Sequence, residues 1–256
     1  ARARASGLAE RLRALGATVV EAPAIRIVPL DGPAPELERY DLLCLTSPNG
    51  VRLLFERLWA AGRDARAMAG TTVAAIGPGT AAALRDHGVI ADIVPERFVA
   101  EGLIDALVDV PVSRALIARA AEARDVLPEA LRARGASVDV VALYETVAED
   151  LSKSELGAAR AADYVTFTSS STVRFFFDAV ESAGAESIGS SPDGERPVES
   201  ASLPGARLVS IGPVTSEALR ERGLEPDVEA ARHDVEGLID ALLTDAARAG
   251  ERAPAS

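Results

Sequence analysis

The sequence predicts an α/β protein built from two parallel-sheet domains, one of them discontinuous, with a ligand cleft between them. Three observations lead there. Short apolar runs rich in Val, Ile and Leu ("DLLCLT", "TVAAIG", "ALIAR", "YVTFT", "RLVSIG") alternate with longer stretches whose apolar residues recur at helical spacing. The runs read as buried parallel strands, and the stretches between them as crossover helices on both faces of a sheet. The whole pattern also occurs twice, as repeated supersecondary units do.

The repeats set the domain organisation. "DLLCLTSPNGVRLLFERL" from Asp41 matches "DYVTFTSSSTVRFFFDAV" from Asp163, and "IGPGTAAALRDHG" from Ile76 matches "IGPVTSEALRERG" from Ile211. "AEGLIDAL" from Ala100 matches "VEGLIDAL" from Val235, and "LRALGATVV" from Leu12 matches "LRARGASVD" from Leu131. The copies are interleaved rather than tandem. A strand–helix–strand unit lies at the N-terminus and again near 115–144; a three-strand unit spans 41–107 and again 163–242. The expected arrangement is a continuous domain over 41–144 and a discontinuous one from 1–27 plus 161–245. The segments 28–40 and 145–160 are polar and contain Pro or Gly, so they read as the two linker strands of chain between domains.

Individual elements follow from local chemistry. In "NGVRLLFERLWAAG", Val51, Leu54, Phe55 and Leu58 fall on one helical face. Trp59 and Phe175 to Phe177 are expected in the core. Gly16, Gly62, Gly88, Gly135 and Gly223 stand where helices should end in a left-handed residue. "ALIAR" opens the second strand–helix–strand unit, whereas the first opens on "ARARAS". The discontinuous domain is therefore expected to lack its first strand and to carry an unpaired edge. A start at Ala1 rather than Met suggests a trimmed chain. Residues 184–205, rich in Ser, Gly, Pro and Glu, read as a disordered loop, and 246–256 as a tail.

Composition narrows the function. A net charge of −12 disfavours nucleic acid and anionic membranes as partners. No apolar run is long enough to span a bilayer, and no signal peptide is visible. The single cysteine, Cys44, suits a reducing cytoplasm. Lys153 is the only lysine, so an anionic ligand must be held by arginines and backbone N–H groups.

Ligands of open α/β sheets bind beyond the carboxyl ends of the strands. Four segments fall there: "TSPN" with Thr46 and Ser47, "IGPGT" with Gly77 and Thr80, "TSSST" with Thr168, Ser169 and Ser170, and "IGPVT" with Gly212 and Thr215. Each begins a helix, where free N–H groups and the helix dipole favour anions. The same residue types also serve as plain helix caps. Arg119 and Arg124 flank the end of "ALIAR" and could bind a carboxylate or form surface ion pairs. Gly77-x-Gly79-x-x-Ala82 partly satisfies a dinucleotide fingerprint, but Val214 replaces the second glycine in the sister turn. Aromatic residues at 4% leave little to stack on a flavin. His87 sits in the last turn of a helix and His233 in a loop; with one cysteine beside them, neither a metal site nor a Cys–His pair is expected.

The ordered motifs "LTSPNGVR", "IGPGTAAALRDHGVIADIVPERFVAEGLIDAL", "LRARGASVDVVALYETV", "VTFTSSSTVRFF" and "SIGPVTSEALRERGLEPD" resemble the uroporphyrinogen-III synthase family over most of Ser6 to Leu242. The resemblance implies two flavodoxin-like domains joined by a two-segment linker. It implies hydroxymethylbilane as substrate, closed to uroporphyrinogen III with loss of water and inversion of ring D, without metal or organic cofactor. It implies a cytoplasmic, monomeric lyase of porphyrin and heme biosynthesis, fused to or working with other tetrapyrrole-pathway enzymes. It points to Tyr144 of "YET" as the acid assisting water loss, and to Thr46, Ser47, Gly77, Thr80, Arg119, Thr168, Ser169, Ser170, Gly212 and Thr215 as substrate contacts. One departure is "RAAEAR" at Arg119 to Arg124, where many members carry a glycine-containing "RGxxGR". The competing class is a non-catalytic two-lobed binding protein for an anionic small molecule.

Overall fold

The computed structural model describes residues 2–187, 203 and 205–252. It forms two compact units: an interrupted one, Ala1–Arg26 with Val147–Ser256, and a continuous one, Ile27–Thr146. Helix α1 (Arg2–Ala14) leads to strand β1 (Ile25–Pro29). The continuous unit then builds β2 (Leu42–Leu45), α2 (Pro48–Ala60), β3 (Thr72–Ala75), α3 (Pro78–Asp86), α4 (Ala100–Ala106), β4 (Arg114–Ala120), α5 (Val126–Ala133) and β5 (Ser137–Ala148). The chain returns through α6 (Lys153–Arg160), β6 (Tyr164–Phe167), α7 (Ser170–Ser187), β7 (Arg207–Ser210), α8 (Pro213–Arg220), β8 (Val228–Glu229) and α9 (Val235–Arg252).

The first sheet has the order β1-β5-β4-β2-β3, and the pairs β5–β4, β4–β2 and β2–β3 are parallel. Leu42 to Leu45 are all fully buried because helices cover both faces. Strand alternation sends Leu43 and Leu45 to a core with Leu54, Phe55 and Leu58 of α2. Leu42 and Cys44 go to the other face, against Leu103, Leu107, Leu127 and Leu131. Burial pushes the Cys44 thiol up to about 12. Cys44 should therefore resist a thiol reagent in the native protein and react promptly in urea; native reactivity would contradict its placement.

The second sheet, β6-β7-β8, is parallel. One face packs Phe167 and Leu208 against Phe176, Phe177 and Val180 of α7. The other packs Val209 against Leu8 and Leu12 of α1 and Leu238 and Ile239 of α9. All five glycines expected at helix ends have positive φ, from 70° at Gly62 to 92° at Gly16.

Several expectations are corrected. Among the described residues, "GATVV" forms no strand and β6 has no ladder partner besides β7. The equivalent strand of the continuous unit, β5, is held by β4; without such a neighbour its counterpart has nothing to pair with. The linker segments are structured. Residues 25–29 and 137–148 belong to the first sheet, Leu37 is fully buried, and 153–160 form α6. A capping box starts α6: Ser152 Oγ accepts the Glu155 N–H and the Glu155 carboxylate accepts the Ser152 N–H. Leu156 and Ala159 then bury its inner face. The loop expected over 184–205 begins as a continuation of α7 through Ser187, and Leu203 is buried; 188–202 and 204 lie outside the described residues. The tail expected over 246–256 continues α9 to Arg252, as its alanines and charged residues favour; 253–256 lie outside the described residues. Trp59 is 54% exposed rather than core, and its ring lies against Phe55 and His87.

Each unit has a Tyr–Asp–Arg clamp near the amino ends of its strands, away from the helix-opening turns. Tyr40 donates to Asp139 at 2.8 Å, and Arg114 donates to the same carboxylate while lying over the Tyr40 ring. Tyr164 donates to Asp245 at 3.0 Å, and Arg207 grips Asp245 through Nε at 2.6 Å and a terminal nitrogen at 2.9 Å. The Arg207 hydrogen bond, supported by Tyr164, holds the Asp245 carboxyl below the usual carboxylate range. A depressed value means stability present above the unfolded pKa of about 4 and lost as pH falls through the folded one. Asp245→Asn should lower the urea midpoint at pH 7, and its gap from wild type should close below pH ~4. A gap that persisted unchanged in acid would contradict the ion-pair account.

Candidate active site

The carboxyl ends of the strands deliver four helix-opening turns, two in each unit. In the continuous unit, Ser47 caps α2: its Oγ accepts the Gly50 N–H at 3.0 Å, and Pro48 takes the first helical position. The adjacent turn is tied to β2 by Ile76 N–H to Leu45 O at 3.0 Å, and Gly77 caps α3. The interrupted unit repeats this geometry. Ile211 N–H reaches Phe167 O at 3.0 Å, Gly212 caps α8, and Ser169 Oγ accepts the Thr172 N–H at 3.2 Å at the start of α7.

The turns differ in what they offer a ligand. Thr46, Ser47, Thr168, Ser169 and Ser170 are half-buried at the turn surface. Thr80 and Thr215 are 3% exposed, so their hydroxyls are buried under the helix starts. Gly77 and Gly212 are buried too, and the exposed residues at those two turns are Gly79 in one and Pro213 and Val214 in the other. Arg119 is also buried: it donates to Arg124 O at 2.7 Å and to Asp125 at 2.5 Å, bracing the loop between β4 and α5. Its Nε is buried with no partner. Arg124 pairs with Glu101. These arginines brace the loop that the alanines of "RAAEAR" form.

Tyr144 joins this group from β5. Strand pairing passes from Arg119–Ala142 to Ala120–Tyr144, leaving Leu143 as an extra residue on β5. Such a bulge bends the strand and re-aims the side chains at it. Arg57 of α2 supports it by donating to Ala142 O at 3.2 Å and Leu30 O at 2.6 Å. The Tyr144 phenol crosses β4, where Ala118 and Ala120 leave room, and its oxygen lies 2.8 Å from Ser47 Oγ. Tyr144 is 6% exposed, so its ring is held by packing as well as by this bond. The structure thus brings together Tyr144, Ser47 and Thr46 in the continuous unit, beside the Gly77 turn. It gathers Thr168, Ser169 and Ser170 beside the Gly212 turn in the other.

Sequence reasoning passed over His233. A Cβ built on Gly212 would lie 2.8 Å from its Cδ2, so the imidazole rests directly on the turn. In the sister copy Phe98 rests on Gly77 in the same way, with its ring Cγ at 3.2 Å. Extending the repeat alignment past "ALRERG" pairs these two rings and would have found the residue. Among the described residues no group of three or more His, Cys, Asp or Glu is placed to hold a metal, and no helix is long and apolar enough to cross a membrane.

Comparison with known proteins agrees with this architecture. The family model described as uroporphyrinogen-III synthase HemD matches residues 6–240. A porphyrin biosynthesis protein HemD from Ruminiclostridium josui is 32% identical over 249 residues, covering 92% of this chain and 45% of that protein. The chain therefore spans about half the length of that relative. A uroporphyrinogen-III synthase from Synechococcus elongatus is 32% identical over 249 residues, covering 93% of this chain and 89% of that one. The fold matches a mutant uroporphyrinogen III synthase from Thermus thermophilus with a TM-score of 0.63 at 21% identity, covering 96% of each chain. It also matches the Helicobacter pylori enzyme with a TM-score of 0.55 at 20% identity, covering 88% of this chain and 95% of that one. The chain belongs to the uroporphyrinogen-III synthase family.

Proposed function

We propose that this protein cyclises hydroxymethylbilane to uroporphyrinogen III, expelling the terminal hydroxyl as water and inverting ring D. The observation that carries the reading is the Tyr144–Ser47 hydrogen bond at the carboxyl end of the sheet, in a chain of this family. The bilane's own pyrroles favour loss of hydroxide, and the bilane closes unaided to the uninverted isomer. The protein's task is therefore mainly to hold one conformation of a flexible substrate.

In this account Tyr144 gives its proton to the departing hydroxyl, the part of a general acid placed beside a leaving group. The Ser47 hydroxyl has one proton and two acceptor positions. One acceptor position takes the Gly50 N–H. Its proton is then free to donate to the Tyr144 oxygen, which stabilises the phenolate as it forms. In each unit the turns supply substrate contacts: half-buried hydroxyls at Thr46 in one and at Thr168 and Ser170 in the other, with backbone N–H at the helix starts. Backbone donors hold carboxylates without net positive charge, which reconciles a −12 protein with a polyanionic ligand. Arg119 serves as a brace for the β4–α5 loop. A cytoplasmic, monomeric, cofactor-independent enzyme is part of the same proposal. Adding the protein to freshly generated hydroxymethylbilane should accelerate its disappearance saturably; an unchanged rate of loss with folded protein would point instead to a binding protein.

A further inference from the structure

The two copies dress the same turn differently. Apart from the Phe98/His233 exchange, the repeats set Ala75 opposite Ser210, Ala81 opposite Ser216, Val94 opposite Glu229 and Val99 opposite Asp234. In the interrupted unit these polar residues are connected. Ser210 Oγ and Ser216 Oγ are 2.6 Å apart, and Ser216 donates to the Glu229 carboxylate. Ser210 must then be the donor to Ser216, since each hydroxyl has one proton. Asp234 Oδ1 accepts the Gly237 N–H at 2.7 Å and so fixes the loop that carries His233.

The fold does not require this polarity. With alanine at both serine positions, the sister turn closes the same way: Thr80 N–H reaches Gly77 O at 3.1 Å, and Thr215 N–H reaches Gly212 O at 3.0 Å. Ser210 and Ser216 are fully buried, and burying hydroxyls costs free energy that alanines avoid. An apolar ring also fills the space over the glycine, as Phe98 does. What the interrupted unit gains is a half-buried imidazole, a ring that can carry an N–H donor, packed on the Gly212 turn.

We propose that His233 is a substrate-contacting residue, donating to a carboxylate of the substrate at the Ile211–Thr215 turn and making that turn the carboxylate-selective member of the duplicated pair. The inference rests on the reading of these turns as the binding site of the proposed enzyme.

The test compares wild type with His233→Phe, which installs the sister copy's ring, and His233→Gln, which keeps a donor. Two quantities are read: the KM and kcat for hydroxymethylbilane, and the Kd of uroporphyrin, a carboxylate-bearing porphyrin that does not react, from an absorbance titration. His233→Phe should raise KM and Kd about tenfold, as loss of a hydrogen bond to a charged group does. Its kcat should change by less than about twofold. His233→Gln should recover most of the binding. A folded His233→Phe protein with wild-type KM and Kd would reduce His233 to a space-filling ring and overturn this inference alone. A wild type that neither consumes the bilane nor binds uroporphyrin would overturn the proposed function with it.

Discussion

Gly237→Ala should destabilise the interrupted unit by about 3 kcal/mol, against the usual preference for alanine in helices. A Cβ at Gly237 would lie 2.1 Å from Arg232 O and 2.6 Å from Arg232 Cβ. The obstacle is backbone, so a rotamer change cannot relieve it. The helix start would have to move, loosening the Asp234 cap at 2.7 Å and the buried Leu238 and Ile239 beside it. The duplicated Gly102 faces the same contact, 2.1 Å from Arg97 O, so Gly102→Ala should behave alike in the other unit. Gly157 in α6 is the control. Nothing lies within 4 Å of a Cβ built there, and Gly157→Ala should stabilise by about 0.5–1 kcal/mol. Urea unfolding followed by circular dichroism reads both; opposite signs support the account, and a stable Gly237→Ala contradicts it.

Tyr144→Phe should lower kcat by about a hundredfold or more, the usual effect of losing a positioned general acid. The ring and its packing stay, and stability should fall by only about 1 kcal/mol for the lost bond to Ser47. Product identity should be preserved, because the conformation of the bound bilane is set by the turns rather than by the proton donor. Ser47→Ala should cost more stability than Tyr144→Phe, since Ser47 also caps α2. Turnover unchanged in Tyr144→Phe would remove this phenol from the chemistry, and a switch to the uninverted isomer would give it a positioning role instead.

Much of the fold was legible because the repeats report the same strand, turn and helix twice. "DLLCLT" and "RLVSIG" are short enough to be strands only, and the left-handed glycines mark where helices stop. What was hidden depends on partners distant in sequence. "TVV" has strand chemistry but no ladder partner among the described residues, while "IRIVP", next to a polar segment, becomes a strand through β5. The capping box of α6 is visible as Ser152 and Glu155, yet the surrounding charge read as linker.

The site was legible at the level of turns and less so at the level of side chains. Ser47 and Tyr144 lie far apart in sequence, and they meet where strand pairing shifts at Leu143. Thr80 and Thr215 belong to the turns as expected, but the helix geometry buries them. Arg119 has a partner six residues ahead, Asp125, and that local pairing engages one end of its guanidinium. His233 carried no motif of its own and became notable only once its ring was seen on Gly212.

The isomer composition of uroporphyrin formed from freshly generated hydroxymethylbilane, with and without the protein, is the most direct test of the central claim. The account predicts isomer I without the protein and predominantly isomer III with it. Isomer I alone in the presence of folded protein would contradict it.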